Sequence, residues 1–274
     1  MEKFGKYSNF GRGLAWKIKQ YYKDSDFVDA GKYLDQALSR KDLSVGVRKL
    51  IETLREENRH FHLIFRAVGN KTDEDSLALL KYRKAHNIPL FLGSEKYYGD
   101  LCGIDRVMNL TEYDPPFLPT PLFWKFKLDP KDVGMKEKWY LSQADWKDVM
   151  ATNRPWENPY PHYKNISEEL RKKTAKYDGI AWYAVSVKIK PALKGRKIYL
   201  FFGAVDESCW IWVNGKKAGE HLFVKPDDWS SPFAIRIDEQ IDWNKPAQNI
   251  TVRVRDLNGQ GGIWKRVTIV SKIK

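Results

Sequence analysis

With 274 residues the chain is long enough for one large domain or two modest ones, each burying its own core. A formal charge of +13, from 48 Lys and Arg against 35 Asp and Glu, favours acidic partners such as nucleic acid, anionic lipid or anionic polysaccharide. The basic residues form no continuous block, so a solvated surface is expected and nucleic acid is disfavoured; no run of eighteen apolar residues exists to span a membrane.

Residues 1 to about 22 mix Gly, aromatics and Lys, with a short helix read in Gly11 to Lys23. From Asp24 or Ser25 the residues Phe27, Ala30, Gly31, Leu34, Ala37 and Leu38 recur on one helical face. A longer helix is expected from Asp42 or Ser44, with Val47, Leu50, Ile51, Leu54, Phe61, Ile64, Phe65 and Val68 in register and Gly69-Asn70 as its stop. A third begins at Thr72, with Asp75 three residues on as in a capping box. Residues 1–108 therefore read as a small helical bundle whose core is modest enough to need docking against something larger.

Four prolines between Asn109 and Pro121 fix φ and remove donors, which marks 109–121 as a semi-rigid linker and 122–274 as a second domain. Its first strand is Phe123–Leu128, followed by a long irregular stretch from Asp129 to Ala175. From Tyr183 to Ile189 apolar and polar residues alternate, the pattern of a strand with one buried face. Ile198–Phe202 runs without a polar gap and reads as covered on both faces. Cys209–Val213 ends in Asn214-Gly215, a pair suited to the positive φ angles of a tight hairpin turn. Further strands around Phe233–Ile237, Ile250–Val254 and Val267–Val270 bring the expected number to about seven. The fold class is mainly β with an α-helical N-terminal part, the β part a jelly-roll sandwich.

Four segments carry a resemblance: Tyr177-Asp178-Gly179-Ile180-Ala181-Trp182-Tyr183, the strand from Gly195-Arg196 to Phe202-Gly203-Ala204-Val205-Asp206, Val213-Asn214-Gly215-Lys216, and Gly261-Gly262-Ile263-Trp264-Lys265. In this order they resemble the sugar-binding, galactose-binding-like sandwich domain at the front of glycoside hydrolase family 2 enzymes, over roughly Phe123 to Val270. The resemblance implies fold more strongly than activity. It departs where the family has Arg after Trp-Tyr and this chain has Ala184-Val185. The helical front is similar to the tail that closes a larger glycosidase-like region.

Carbohydrate contacts are expected from Trp156, Glu157, Tyr177, Asp178, Asp206, Glu207, Trp229 and Trp264. Trp156-Glu157 occupies the place of a Trp-Glu pair in the resembled family; either the Trp is a sugar platform and the Glu an acceptor for hydroxyls, or the Trp packs the loop and the Glu caps it. Asp206 and Glu207 are neighbours, and neighbours on a strand face opposite ways, which makes them a poor acid and nucleophile pair. Should the chain cleave glycosides itself, Glu157, Asp178 and Asp206 are the candidates, but the leading expectation is a non-catalytic module that binds oligo- or polysaccharide, anionic ones included, alongside other domains of a larger glycosidase or in a homo-oligomer. Trp182, Trp210 and Trp212 are assigned to strand packing. His60 and His62 lack the i, i+4 spacing of a helical zinc pair, Cys102 and Cys209 are expected as free thiols, and no Asp-rich loop places the structural calcium known in modules of this fold. No export signal is read, although a piece of a longer secreted protein would look the same, so the compartment stays open.

Overall fold

The computed structural model describes residues 21–70, 72–88 and 107–273; the expected helix before Tyr21 and Cys102 lie outside them. The chain divides into two units, Met1–Pro115 and Pro116–Lys274.

The first unit carries helices α1 (Asp24–Leu38), α2 (Val45–Asn70) and α3 (Asp73–Ala85). The expected cap of α1 at Asp24 or Ser25 is corrected to Lys23, whose amide donates to the Asp26 carboxylate at 2.7 Å, whereas α2 and α3 start on the expected cap residues. The Ser44 hydroxyl accepts from the Val47 amide at 3.3 Å, and Thr72 accepts from the Asp75 amide at 3.2 Å while donating to its carboxylate at 2.9 Å. That carboxylate also accepts from Arg66 and Asn70, both at 2.8 Å, so one buried acid joins the end of α2 to the start of α3. α1 buries none of its residues, and Val47, Leu50, Leu54 and Phe61 of α2 are exposed. Among the described residues no helix is long and apolar enough to cross a membrane.

The second unit is built on two antiparallel sheets of ten strands: β1 (Asp114–Pro119), β2 (Phe123–Leu128), β3 (Asp148–Ala151), β4 (Gly179–Val187), β5 (Lys197–Ala204), β6 (Ser208–Val213), β7 (Lys216–His221), β8 (Phe233–Arg236), β9 (Gln248–Asp256) and β10 (Lys265–Lys272). One sheet has the order β1-β10-β5-β8 and the other β3-β2-β4-β9-β6-β7. Alternate residues of each meet in one core: Trp124 and Phe126, Tyr183 and Val185, Ile211, Val252 and Val254 from the larger sheet against Ile198, Leu200, Phe202, Val267 and Ile269 from the smaller. This is the expected sandwich.

Several strand expectations are corrected. The proline-rich span read as a linker contains β1, an edge strand, the place in a sheet where missing N–H groups cost least. β7, Lys-Lys-Ala-Gly-Glu-His, has no apolar alternation, yet pairs with β6 across the Asn214-Gly215 turn, whose φ angles are 52° and 80°. The two central strands exchange roles. β5 buries alternate residues only, leaving Tyr199 and Phe201 half-buried, whereas β4 is buried on both faces from Ala181 to Val185.

The cover over β4 comes from the supposedly irregular stretch after Asp129. The buried Asp129 carboxylate accepts from the amides of Val133 (2.8 Å) and Gly134 (2.9 Å) and from the Trp182 indole (2.9 Å), which sets the loop against the outer face of the larger sheet. Trp146, Trp182 and Trp212 pack there, with Tyr140 stacked on Trp212 at 5.3 Å and Trp139 edge-on to Trp182 at 6.1 Å. Farther along, α4 (Glu168–Thr174) is capped by Ser167, and the Arg171 guanidinium donates to the carbonyls of Pro159, Tyr160 and Tyr163. The stretch is a folded cover. Replacing Asp129 by Ala strands three donors in a buried setting and is expected to lower unfolding free energy by about 3 kcal/mol, read from urea denaturation; a loss of under about 1 kcal/mol would mean that aromatic packing alone holds the cover.

Candidate functional site

β4, β6 and β9 bring Gly179, Ser208 and Asp256 to one end of the larger sheet, since Gly179 pairs with Asp256 and Ser208 with Arg255. Here β5 crosses to β6 through Val205-Asp206-Glu207. Two loops, one carrying Trp156-Glu157 and one running from Leu257 to Trp264, close over the rim.

The joint between them is made of backbone and carboxylates. Both Glu157 oxygens lie 3.0 Å from the Gly261 amide, and the Trp156 amide donates to the Gly261 carbonyl at 3.0 Å. The Asp206 amide donates to the Gly262 carbonyl at 2.9 Å, and Glu207, in the left-handed region at φ 56°, accepts from the Leu257 amide at 2.8 Å. Asp256 accepts from the Asn258 amide at 3.1 Å through Oδ1, while its buried Oδ2 has no hydrogen-bond partner. Gly261 cannot carry a side chain: a Cβ there would sit 2.6 Å from Asp256 Oδ2 and run into the Trp156 ring. Its neighbour Gly262, at φ 111°, passes so close to the buried Tyr183 hydroxyl that a Cβ would lie 2.6 Å from it.

Crowding of acids at low solvent exposure raises their proton affinity. Burial, with the nearby Asp256 charge, lifts Glu157 to about 7. Burial together with Asp256 and Glu207 lifts Asp206 to about 7, and burial with Glu207 and Asp178 lifts Asp256 to about 7. The rim therefore holds protons up to neutral pH. Among the described residues no group of three or more His, Cys, Asp or Glu side chains is arranged to hold a metal ion.

Beside the acids lies an aromatic surface. Trp229 and Trp264 stack at 5.5 Å and 19°, and the Trp264 indole donates to the Trp229 carbonyl at 2.9 Å. Lys265 sits 4.5 Å over the Trp264 ring and donates to the Ser230 carbonyl at 3.0 Å, tying the Trp229 loop to the start of β10. The Asp228 carboxylate shapes that loop by accepting from the Val224 and Lys225 amides at 2.8 and 2.7 Å. Trp229 is 45% exposed.

The expected site residues thus separate into two groups. Glu157, Asp206 and Glu207 meet around the Leu257–Trp264 loop, with the exposed Asp178 next to Gly179 at the same rim. Trp156 is corrected: it is fully buried, its indole donating to the Tyr177 carbonyl at 3.1 Å, so it packs the loop and offers no sugar platform. Tyr177 is half-buried and donates its hydroxyl to the Ile180 carbonyl at 2.8 Å, and Glu207 is buried against the Leu257 amide. Sequence reasoning missed Asp256, which ends the β9 face that carries Ile250, Val252 and Val254 into the core; its only signal is its place before the Gly-rich turn. Cys209 is a free thiol, fully buried, and burial pushes its pKa upward.

A two-sheet sandwich whose strand ends and loops form a polar and aromatic rim is the architecture of a sugar-binding domain. Residues 122–264, just over half the chain, match the family model described as the glycosyl hydrolases family 2, sugar binding domain, and the chain belongs to that family. It is 28% identical over 131 residues to a β-galactosidase of Thermoanaerobacterium thermosulfurigenes, covering 48% of this chain and 16% of that protein. It is 24% identical over 98 residues to a β-glucuronidase of Paenibacillus borealis, covering 36% and 15%. Among solved structures it is similar to a Lactobacillus rhamnosus β-glucuronidase at 20% identity and TM-score 0.47, over 57% of this chain and 28% of that one. A Ruminococcus gnavus β-glucuronidase in complex with D-glucaro 1,5-lactone gives 16% identity and TM-score 0.48 over 57% and 29%. The matches span only a small part of the relatives' length.

The raised acids link stability to pH. Between the ordinary carboxylate range and about 7 the folded chain binds protons that the unfolded chain has released, so stability falls as pH rises through that window and stays reduced above it. Asp256→Asn keeps the Asn258 contact and removes the charge. It is expected to match the parent chain at pH 4 and to exceed it by about 1–2 kcal/mol at pH 8, measured by denaturation at each pH; equal stability at pH 8 would mean that Asp256 ionises there without cost.

Proposed function

We propose that this chain is a carbohydrate-binding accessory module of a glycoside hydrolase-like protein, taking oligo- or polysaccharide at the Trp229–Trp264 rim without cleaving it. The observation that carries this reading is the stacked pair itself: an indole pair with Trp229 45% exposed, pinned by the Trp264 to Trp229 hydrogen bond and by Lys265, offers apolar ring surface of the kind on which a pyranose packs. Asp178, exposed at the same rim, adds an acceptor for hydroxyls. Glu157 and Glu207 are engaged in holding backbone amides. That duty favours structure over catalysis for them.

A hydrolase acting on its own is the second reading, and Glu157 is what favours it, because a carboxyl that keeps its proton to about 7 has the affinity of a general acid. Its partner would be Asp178 or Asp206. Incubation with neutral and acidic oligosaccharides, scoring both retention and new reducing ends, separates the two. The expected result is retention without new ends, with Trp229→Ala weakening retention about tenfold and leaving thermal stability unchanged. Reducing ends that disappear in Glu157→Gln would establish the second reading instead.

A further inference from the structure

At the other end of the sandwich lies a cavity that the rim described above does not use. β6 starts beside Asp206-Glu207 and ends at Val213, before Asn214, so its six residues set the two ends roughly 20 Å apart. The far cavity has a volume of about 480 Å³, and Lys194, Lys216, Lys245, Asn214, Gln240 and Trp243 line it. That volume suits one or two sugar rings.

The walls are held by buried amide chemistry. Gln248, 3% exposed, accepts from Asn214 Nδ2 at 2.7 Å and from the Asp242 amide at 2.8 Å, and donates to the Asp242 carbonyl at 3.0 Å. Asn214 also donates to the Gln240 carbonyl at 2.9 Å, and its Oδ1 accepts from the Asn249 amide at 3.1 Å. The hairpin turn and the Gln240–Lys245 segment are thereby locked together before any ligand arrives, which spares binding the entropy of ordering them. Over this frame stand three ammonium groups. Asp242, also in the lining and 4.0 Å from Lys245, is the one carboxylate set against them.

We infer that this cavity is a second binding site, for a saccharide bearing carboxylate groups: Lys194 and Lys216 would receive the anionic group, Trp243 the face of the ring, and Gln240 its hydroxyls. Inorganic anions satisfy only the lysines, and neutral sugars only the indole and the amide. The inference shares a saccharide ligand with the proposed function but not its site, so either can fail alone.

The test uses the full chain carrying Trp229→Ala, which weakens any binding at the rim, and titrates it by calorimetry with tetragalacturonate, with the same tetrasaccharide fully methyl-esterified, and with sodium sulfate. Tetragalacturonate is expected to bind, the neutral ester and sulfate to bind at least about tenfold more weakly, and the pair Lys194→Gln with Lys216→Gln to cost about tenfold against tetragalacturonate. Both lysines are exposed, so the fold survives their loss. Absence of tetragalacturonate binding, equal affinity for acid and ester, sulfate as tight as the sugar, or indifference to the lysine pair would each overturn the assignment.

Discussion

The grip of the Glu157 carboxylate on the Gly261 amide is the contact on which the rim of the sandwich depends. It joins a loop from early in the sandwich to the turn before its last strand, and Trp156 seals the joint by donating its amide to the Gly261 carbonyl and burying its ring. The fit leaves no room for a Cβ at Gly261 and brings Asp256 close enough to contest the same space. Acids gathered this tightly, away from water, keep their protons more readily than in solution, so the same crowding that fastens the loop makes its electrostatics depend on pH.

From that joint the chain runs within three residues to Trp264, which fixes Trp229 through a hydrogen bond and ring stacking. Two kinds of chemistry therefore share one rim. Buried acids give the rim its shape, and under the proposed function the half-exposed indole pair would give it contact area. The opposite end of the sandwich has a different character, with lysines and amides around a cavity and a buried Gln248 as the brace. The strands between serve as a rigid spacer.

The outer face of the larger sheet shows how a long loop becomes structure. Asp129, Trp139, Tyr140 and Trp146 recur at no regular spacing and give no periodic signal, yet one carboxylate accepting three hydrogen bonds turns the segment back over Trp182 and Trp212. This cover removes from solvent the face of β4 that strand periodicity would leave wet. It also explains why β4 is buried on both faces while β5, with its unbroken apolar run, alternates.

The sandwich, its central strands, the Asn214-Gly215 turn, the three helices and the membership of a sugar-binding family were legible from the chain itself, because each rests on local periodicity, turn chemistry or short motifs in order. The residues of the rim could be named from the sequence, but not their placement. Trp156 and Trp229 look alike in the sequence, and only packing sends one into the core and leaves the other at the surface. Asp256 was hidden because one acid at a strand end has no local signature, and β1 and β7 because edge pairing needs a neighbour more than an apolar pattern. What the residues determined alone is what interactions a few positions apart can encode; burial, the meeting of acids at Gly261 and the far lysine cavity depend on distant residues, 104 positions apart for Glu157 and Gly261, and only the closed sheet brings those together.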